Sequence, residues 1–383
     1  MVGESALLYQ LLYVCLVTHA ISFISNVALN DLILRRMDMP SLLSWRATSR
    51  LHYLHVSTAL HDMRHRLILP FIQDSQTLFT LLTQFGGLIV GRASLAFVQR
   101  ELDTPLDTLE LAIGNVCFHQ FTLCLRSLLH SYSTLENFTV TTAAPSFVAL
   151  RNITTIAQAS LASGRRIVVY ESETIAPCSV VAGMWTSALT NFVTAYTFGS
   201  AYPRLTFTLR GILSRPRLAA MSPEDVRVFN SLLSSGFELS FSSSEWLQSS
   251  QLGTVDSVPA TNDCGKSAHA CPHQGRFFGD DGSLLVLIDT LTVSRPYLQA
   301  QYVAPYGPMA AWRIPNVETC VNDCFNRDAL LPPGIVTMLC RVLERDRASR
   351  VRFPKRLTFD TASDRLPYTL PPLRHGTRRY SVS

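Results

Sequence analysis

Apolar positions recur at helical intervals through Leu29, Leu32, Ile33 and Met37, and Pro40 fits the first turn of a second helix carrying Leu42, Leu43 and Trp45. Two or three short helices are expected as far as Ile72. From there the pattern changes to alternating helix and strand: a helix over Gln76 to Gln84, a stop at Phe85-Gly86-Gly87, an apolar strand Leu88-Ile89-Val90, and a second helix from Ala93 to Glu101 led by Gly91. A Thr104-Pro105 turn then precedes a strand around Leu109 to Ile113. Farther on, Arg165 to Tyr170 reads as a strand, Thr186 to Tyr196 as a mostly apolar helix, and Ser231 to Ser250 as an edge strand joined to a loop. Residues 284–289 form an apolar run that reads as a buried strand, extending the first sheet or beginning another layer. The whole reads as an α+β chain with a helical N-terminal part.

The first segment, Leu7 to Leu29, is long enough to span a membrane. Gln10, Thr18, His19, Ser22, Ser25 and Asn26 interrupt it, and no basic flank precedes it. It is expected to form an apolar or amphipathic helix over 1–26 that runs toward the next domain, not an anchor.

Residues 29–72 also carry a recognisable motif. Leu32-Ile33, then Pro40-Ser41-Leu42-Leu43, then Thr48 to Tyr53 resemble the F-box-like helical motif. With the glycine-containing segment that follows, the chain resembles a large group of fungal, mainly basidiomycete, proteins over roughly residues 27–290. The resemblance implies a 27–75 helical module that docks through Leu32, Ile33, Pro40, Leu42 and Leu43 on a Skp1-like adaptor of a ubiquitin ligase. Asn30 stands where that motif usually has proline.

The stretch Gly86 to Leu111 resembles a nucleotidyltransferase active site, set in a mixed-sheet body over 76–340. In that superfamily glycine and a small hydroxyl residue open a helix whose N–H groups hold a triphosphate, and two carboxylates alternating along the next strand share Mg²⁺. Here Gly91 and Arg92 occupy the phosphate-holding position, with Arg92 in place of the hydroxyl residue. If Glu110 is the second carboxylate, the first falls on Thr108, and Asp107 lies one step out of phase on the opposite face of an ideal strand. A bulge would bring Asp107 and Glu110 together as catalytic and metal-holding residues. Without it, the expectation is an inherited nucleotidyltransferase-like fold without transfer chemistry, a pseudoenzyme. The group often has a histidine where this chain has Trp185, before Thr186 and Asn191, and the run Ser200 to Gly211 resembles its corresponding segment. Glu171 or Glu173 could supply a third acid, although a solvated strand end explains both.

Composition narrows the partners. The chain has 383 residues, 47% of them hydrophobic, and a net charge of +5. Residues 341–383 hold ten Arg and Lys355 against four acids, a net +7 that leaves the remainder near −2. That balance does not mark a nucleic-acid surface, and the basic tail reads as a solvated terminus. Nine cysteines are too sparse for a disulfide scaffold and fit a reducing, cytoplasmic or nuclear compartment. Cys264, His269, Cys271 and His273 lie close enough to be candidate zinc ligands, and Cys320 with Cys324 could add two, but neither set has the tight spacing of a zinc knuckle.

These observations predict a non-catalytic interaction protein, with an F-box-type adaptor role through its helices, a second protein partner of unknown identity and no cofactor. The alternative is a metal-dependent nucleotidyltransferase that uses Mg²⁺ and a nucleoside triphosphate on a hydroxyl acceptor.

Overall fold

The computed structural model describes residues 27–102, 104–132, 134–144, 151–218, 221–241, 246, 276–288 and the short strands at 303–304, 307–308 and 311–312; for 27–31 and those last strands only the backbone is described. The apolar lead-in, the 264–273 Cys/His group, Cys320, Cys324 and the basic tail lie outside the described residues. The architecture is mixed α+β, built around one eight-stranded sheet.

Three helices come first: α1 (Val27–Arg36), α2 (Met39–Arg46) and α3 (Arg50–Ile68). Asp38 starts α2 by accepting the Ser41 N–H, with Pro40 in the first turn where a missing N–H costs nothing. Ser49 does the same for α3 through the His52 N–H. The third helix runs nineteen residues, longer than the short helices expected from sequence, because Val56, Leu60, Met63 and Leu67 keep one continuous apolar stripe.

The stripe packs with α4 (Ser75–Gln84) and the sheet in a single hydrophobic core. Helix α2 is tied to the sheet as well, since Arg46 donates to the carbonyls of Leu287 and Ile288 at 2.6 and 3.2 Å.

The sheet runs β11-β7-β6-β1-β2-β5-β4-β3. Its strands are β1 (Leu88–Val90), β2 (Thr108–Ile113), β3 (Leu135–Thr142), β4 (Ile153–Leu161), β5 (Arg166–Ser172), β6 (Asn191–Val193), β7 (Thr197–Ser200) and β11 (Leu284–Leu287). All neighbours are antiparallel except β2 and β5. Helix α5 (Gly91–Gln99) connects β1 to β2, and α6 (Asn115–Ser131) leads from β2 to the β3–β4 hairpin that precedes β5. The parallel β2–β5 pair thus encloses a helix and a hairpin, the long connection such a pair needs.

Period-two alternation divides the two faces of the sheet. Leu109, Leu111, Ile113, Ile167 and Val169 face a core shared with α3, α4 and with Phe118, Phe121 and Leu125 of α6. Val90, Ala112 and Ile153 face a second core containing Val180, Val181 and Trp185 around α7 (Cys178–Ala182). That second layer also holds α8 (Pro203–Phe207), β8 (Arg210–Ile212), α9 (Arg215–Leu218), α10 (Pro223–Ser234) and β9 (Glu238–Ser240). Beyond the main sheet, β8 pairs with β9, β10 (Arg276–Phe277) with β14 (Ala311–Trp312), and β12 (Val303–Ala304) with β13 (Gly307–Pro308).

Three expectations need correction. Thr186 to Tyr196 is not a helix but one 3₁₀ turn at Ser187–Leu189 followed by β6, whose partner β7 turns back immediately. The segment holds three Thr and Val193, whose branched side chains fit a strand, and a mixed run of this length carries no clear periodicity to separate the two. Ser231 to Ser250 begins inside α10, and among its described residues only Glu238–Ser240 is strand, because Pro223 and the Ser222–Asp225 capping box start a helix that runs on to Ser234. The 284–287 strand does extend the main sheet, but as a half-exposed edge beside β7, with Leu285 41% exposed.

Candidate functional site

Glu110 stands at the centre of the polar side of the sheet. On β2 it pairs with Val90 on one side and Val168 on the other, so its side chain shares a face with Thr108 and with Arg166 and Tyr170 of β5. That face looks toward the start of α5. The Glu110 Oε2 accepts the backbone N–H of Arg92 at 3.1 Å, and its Oε1 accepts the Tyr170 hydroxyl at 2.8 Å. The carboxylate therefore sits where the free N–H groups and positive end of the helix dipole would hold an anion. Helix α5 has no side-chain cap from its own preceding residue, and the sheet supplies one across eighteen positions of sequence.

Gly91 makes this approach feasible. Its φ is +66°, and a Cβ built there would lie 1.7 Å from Glu110 Oε2. Both the backbone conformation and the space require glycine.

Arg92 points its guanidinium away from the helix axis into the same region. It is 8% exposed, its Nη2 donates to Ser235 Oγ at 3.1 Å, and Glu101 lies 3.8 Å away. Its Nη1 is buried without a hydrogen-bond partner. Burial lowers its pKa, against the attraction of Glu101.

Beside these residues is a cleft of about 140 Å³, lined in part by Arg92, Asp107, Thr108, Glu110, Arg166 and Glu224. Small-molecule sites commonly occupy about 300–1,000 Å³, so this cleft is narrow for a nucleotide. Glu224 is already engaged by Arg166 at 2.6 Å and by Arg227, and Arg166 also reaches Thr108 Oγ1 at 3.2 Å. Asp107 is exposed at the rim; its carbonyl accepts the Arg166 N–H at 2.9 Å, which anchors the start of the β2–β5 pairing.

A second group of polar residues adjoins Glu110 and did not stand out in the sequence. Arg151 grips Asp225 with two bonds of 2.8 and 3.0 Å, and the Trp185 indole N–H donates to the same carboxylate at 3.1 Å. Asp225 also takes the Ser222 N–H and hydroxyl at 2.9 and 2.7 Å, closing the capping box of α10. Burial pushes Asp225 upward, but Arg151 and Ser222 outweigh it and hold the carboxyl below its usual value. Burial instead raises Glu110, and the bonds from Tyr170 and Arg92 only partly oppose it. Tyr170 is pushed well above the ordinary phenol value, first by burial and then by Glu110.

The residues expected to bind an adaptor divide by exposure. Leu32 is 57% exposed, Ile33, Pro40 and Leu43 are half-buried, and Leu42 is fully buried in the helical core. Leu51 and Leu54 of α3 add exposed apolar surface. Glu171, at the end of β5, accepts the Thr154 hydroxyl at 2.8 Å.

Among the described residues, no group of three or more His, Cys, Asp or Glu side chains is placed to hold a metal ion, and no helix is long and apolar enough to cross a membrane. Comparison with family models, curated proteins and solved structures found no match.

Proposed function

We propose that the chain is a non-catalytic interaction protein whose body has a degenerate nucleotidyltransferase-like fold and whose N-terminal helices meet a Skp1-like adaptor. The observation that carries the first half is the Glu110 carboxylate at the N-terminus of α5. A triphosphate held by that helix would compete with a carboxylate already fixed on both oxygens. Turnover also requires a metal aligned against the reacting phosphate, but Asp107 precedes β2 on the other phase, Glu224 is held by Arg166 and Arg227, and Asp225 is held by Arg151. The second half rests on the motif and on the exposed Leu32, Leu51 and Leu54 beside the half-buried Ile33, Pro40 and Leu43. Both partners would be met in the cytoplasm or nucleus.

The rival reading, a metal-dependent nucleotidyltransferase, has Asp107 and Glu110 lining one cleft in its favour. Incubation of the full chain with radiolabelled nucleoside triphosphates, Mg²⁺ or Mn²⁺ and a panel of hydroxyl acceptors separates the two. We expect no labelled product. Product formation that disappears in both Asp107→Asn and Glu110→Gln would establish the rival. Titration of the full chain with the adaptor tests the helical end, and absence of binding there would remove the adaptor role while leaving the first result standing.

A further inference from the structure

The long helix α3 carries histidines one turn apart. His61 and His65 place their Nε2 atoms 3.3 Å from each other, with ring centroids 4.4 Å apart. Two ligands on one imidazole-bound zinc, with Zn–N bonds of about 2.0–2.1 Å at a tetrahedral angle, set their nitrogens roughly 3.3–3.4 Å apart. The Nε2 separation thus matches the span of one tetrahedral edge, and an outward rotation of the half-exposed His61 ring would turn both lone pairs onto one ion. The i, i+4 spacing puts both rings on one helix face without loop closure.

The second ring nitrogen of His65 is also engaged. His65 Nδ1 lies 2.6 Å from Ser75 Oγ at the start of α4. A hydroxyl on Nδ1 fixes the ring orientation and leaves Nε2 as the nitrogen directed at His61, the arrangement by which outer partners orient ligating histidines. The Phe79 ring, edge-on at 5.5 Å, packs the other side of His65. His61 is half exposed and opens the pair to solvent, so water can complete the coordination.

From this geometry we infer that His61 and His65 form a two-imidazole site for a borderline-soft divalent cation, zinc before others, with Ser75 as its positioning residue. The charged groups around it set its strength. Arg64 Nη2 lies 3.5 Å from His65 Nε2 and opposes a cation, while the Asp62 carboxylate, 3.9 Å from His61 Nδ1, favours one. Two protein ligands beside one guanidinium make a site that exchanges its metal, in contrast to a structural zinc centre with four. Occupancy would cross-link adjacent turns of α3, the helix that carries Leu51 and Leu54 toward solvent.

Zn²⁺ titration of the full chain, followed by calorimetry and by the nitrogen signals of ¹⁵N-labelled imidazoles, tests this. The expected result is one binding class in which the Nε2 signals of two histidines shift together, lost in His61→Ala. Ser75→Ala should weaken that class by about tenfold or more while the helical circular dichroism stays unchanged. Because His61 is half exposed, its replacement should leave the fold intact, and the dichroism of that variant checks this. If His61→Ala folds and retains the parent's full zinc stoichiometry and affinity, the metal sits elsewhere in the chain and the assignment is overturned.

Discussion

The two faces of the central sheet are built from the same strands and each packs a hydrophobic core, but one also carries a hydrogen-bonded polar network. Toward α3, α4 and α6 the sheet presents Leu109, Leu111, Ile167 and Val169. Toward the N-terminus of α5 and toward α10 the same strands present Thr108, Glu110, Arg166 and Tyr170, which lie beside the Arg151–Asp225–Trp185 group. The polar face carries buried groups that need partners, since an orphaned one costs about 1–3 kcal/mol and a charge more, and Arg92 Nη1 is one left without. At the N-terminus of α5 this network places the Glu110 carboxyl against the Arg92 N–H.

The largest effect expected from this difference is on Asp225. Replacing it by Ala strips the partner from the buried Arg151, the acceptor from Trp185 and the capping box from α10, and should cost about 3–5 kcal/mol in chemical denaturation. Phe121→Ala on the apolar face should cost a similar amount, about 3–5 kcal/mol, through the cavity it leaves. The two differ in their response to acid. The folded pKa of Asp225 is depressed, so its contribution is present above the ordinary value of 3.8 and fades as pH falls through the lowered one. The gap between the parent and Asp225→Ala should therefore close in acid, while the gap to Phe121→Ala should not close in that way. Equal pH responses would abolish the distinction between the faces.

A smaller effect is expected at the junction of β1 and α5. Gly91→Ala should lose about 1–3 kcal/mol, from strain at positive φ together with displacement of the Glu110 carboxylate. Gly86→Ala shares the positive φ, +65°, but has nothing within 4 Å of its Cβ. It should lose about 1 kcal/mol, the backbone term alone. Thermal unfolding of the two side by side isolates the carboxylate contact, and an equal loss at both positions would show that Glu110 moves aside at no cost.

Much of this junction was legible in the sequence. Leu88 to Val90 and the Gly91 helix start lie where turn chemistry and apolar runs put them, and the Thr108-to-Ile113 alternation assigned Glu110 and Leu109 to opposite faces. Apart from Arg92, the polar neighbours of Glu110 were not legible. Arg151, Tyr170 and Asp225 come from three separate segments, and only the fold brings them beside β2; the one local signal was Ser222-Pro-Glu-Asp225, a capping box that marks a helix start and not a site. The β3–β4 hairpin also went unread, because its outer strand carries polar and apolar residues with no buried face to impose alternation. The Thr186 to Tyr196 segment was also misjudged, since its mixed apolar and hydroxyl positions keep neither period long enough to reveal that it turns back as a hairpin.

The smallest and most discriminating change is Glu110→Gln. The amide keeps an oxygen for the Arg92 N–H and an approach to the Tyr170 hydroxyl, so the loss should stay below about 1 kcal/mol near pH 5, within the range of one neutral hydrogen bond. Its pH dependence carries the argument. Burial raises the folded pKa of Glu110 above its ordinary 4.5, so the native state holds that proton more tightly than the unfolded chain. The stability this contributes is complete below 4.5 and is lost as pH rises through the raised value, the reverse of Asp225. Urea denaturation of parent and variant across that interval should thus show the parent losing ground to Glu110→Gln as pH rises. A parent that gains ground instead would mean that the helix N-terminus stabilises the anion more than burial opposes it. The position would then still be a working anion site, occupied for now by a side chain, and the polar face would have kept more of a binding surface than its closed network suggests.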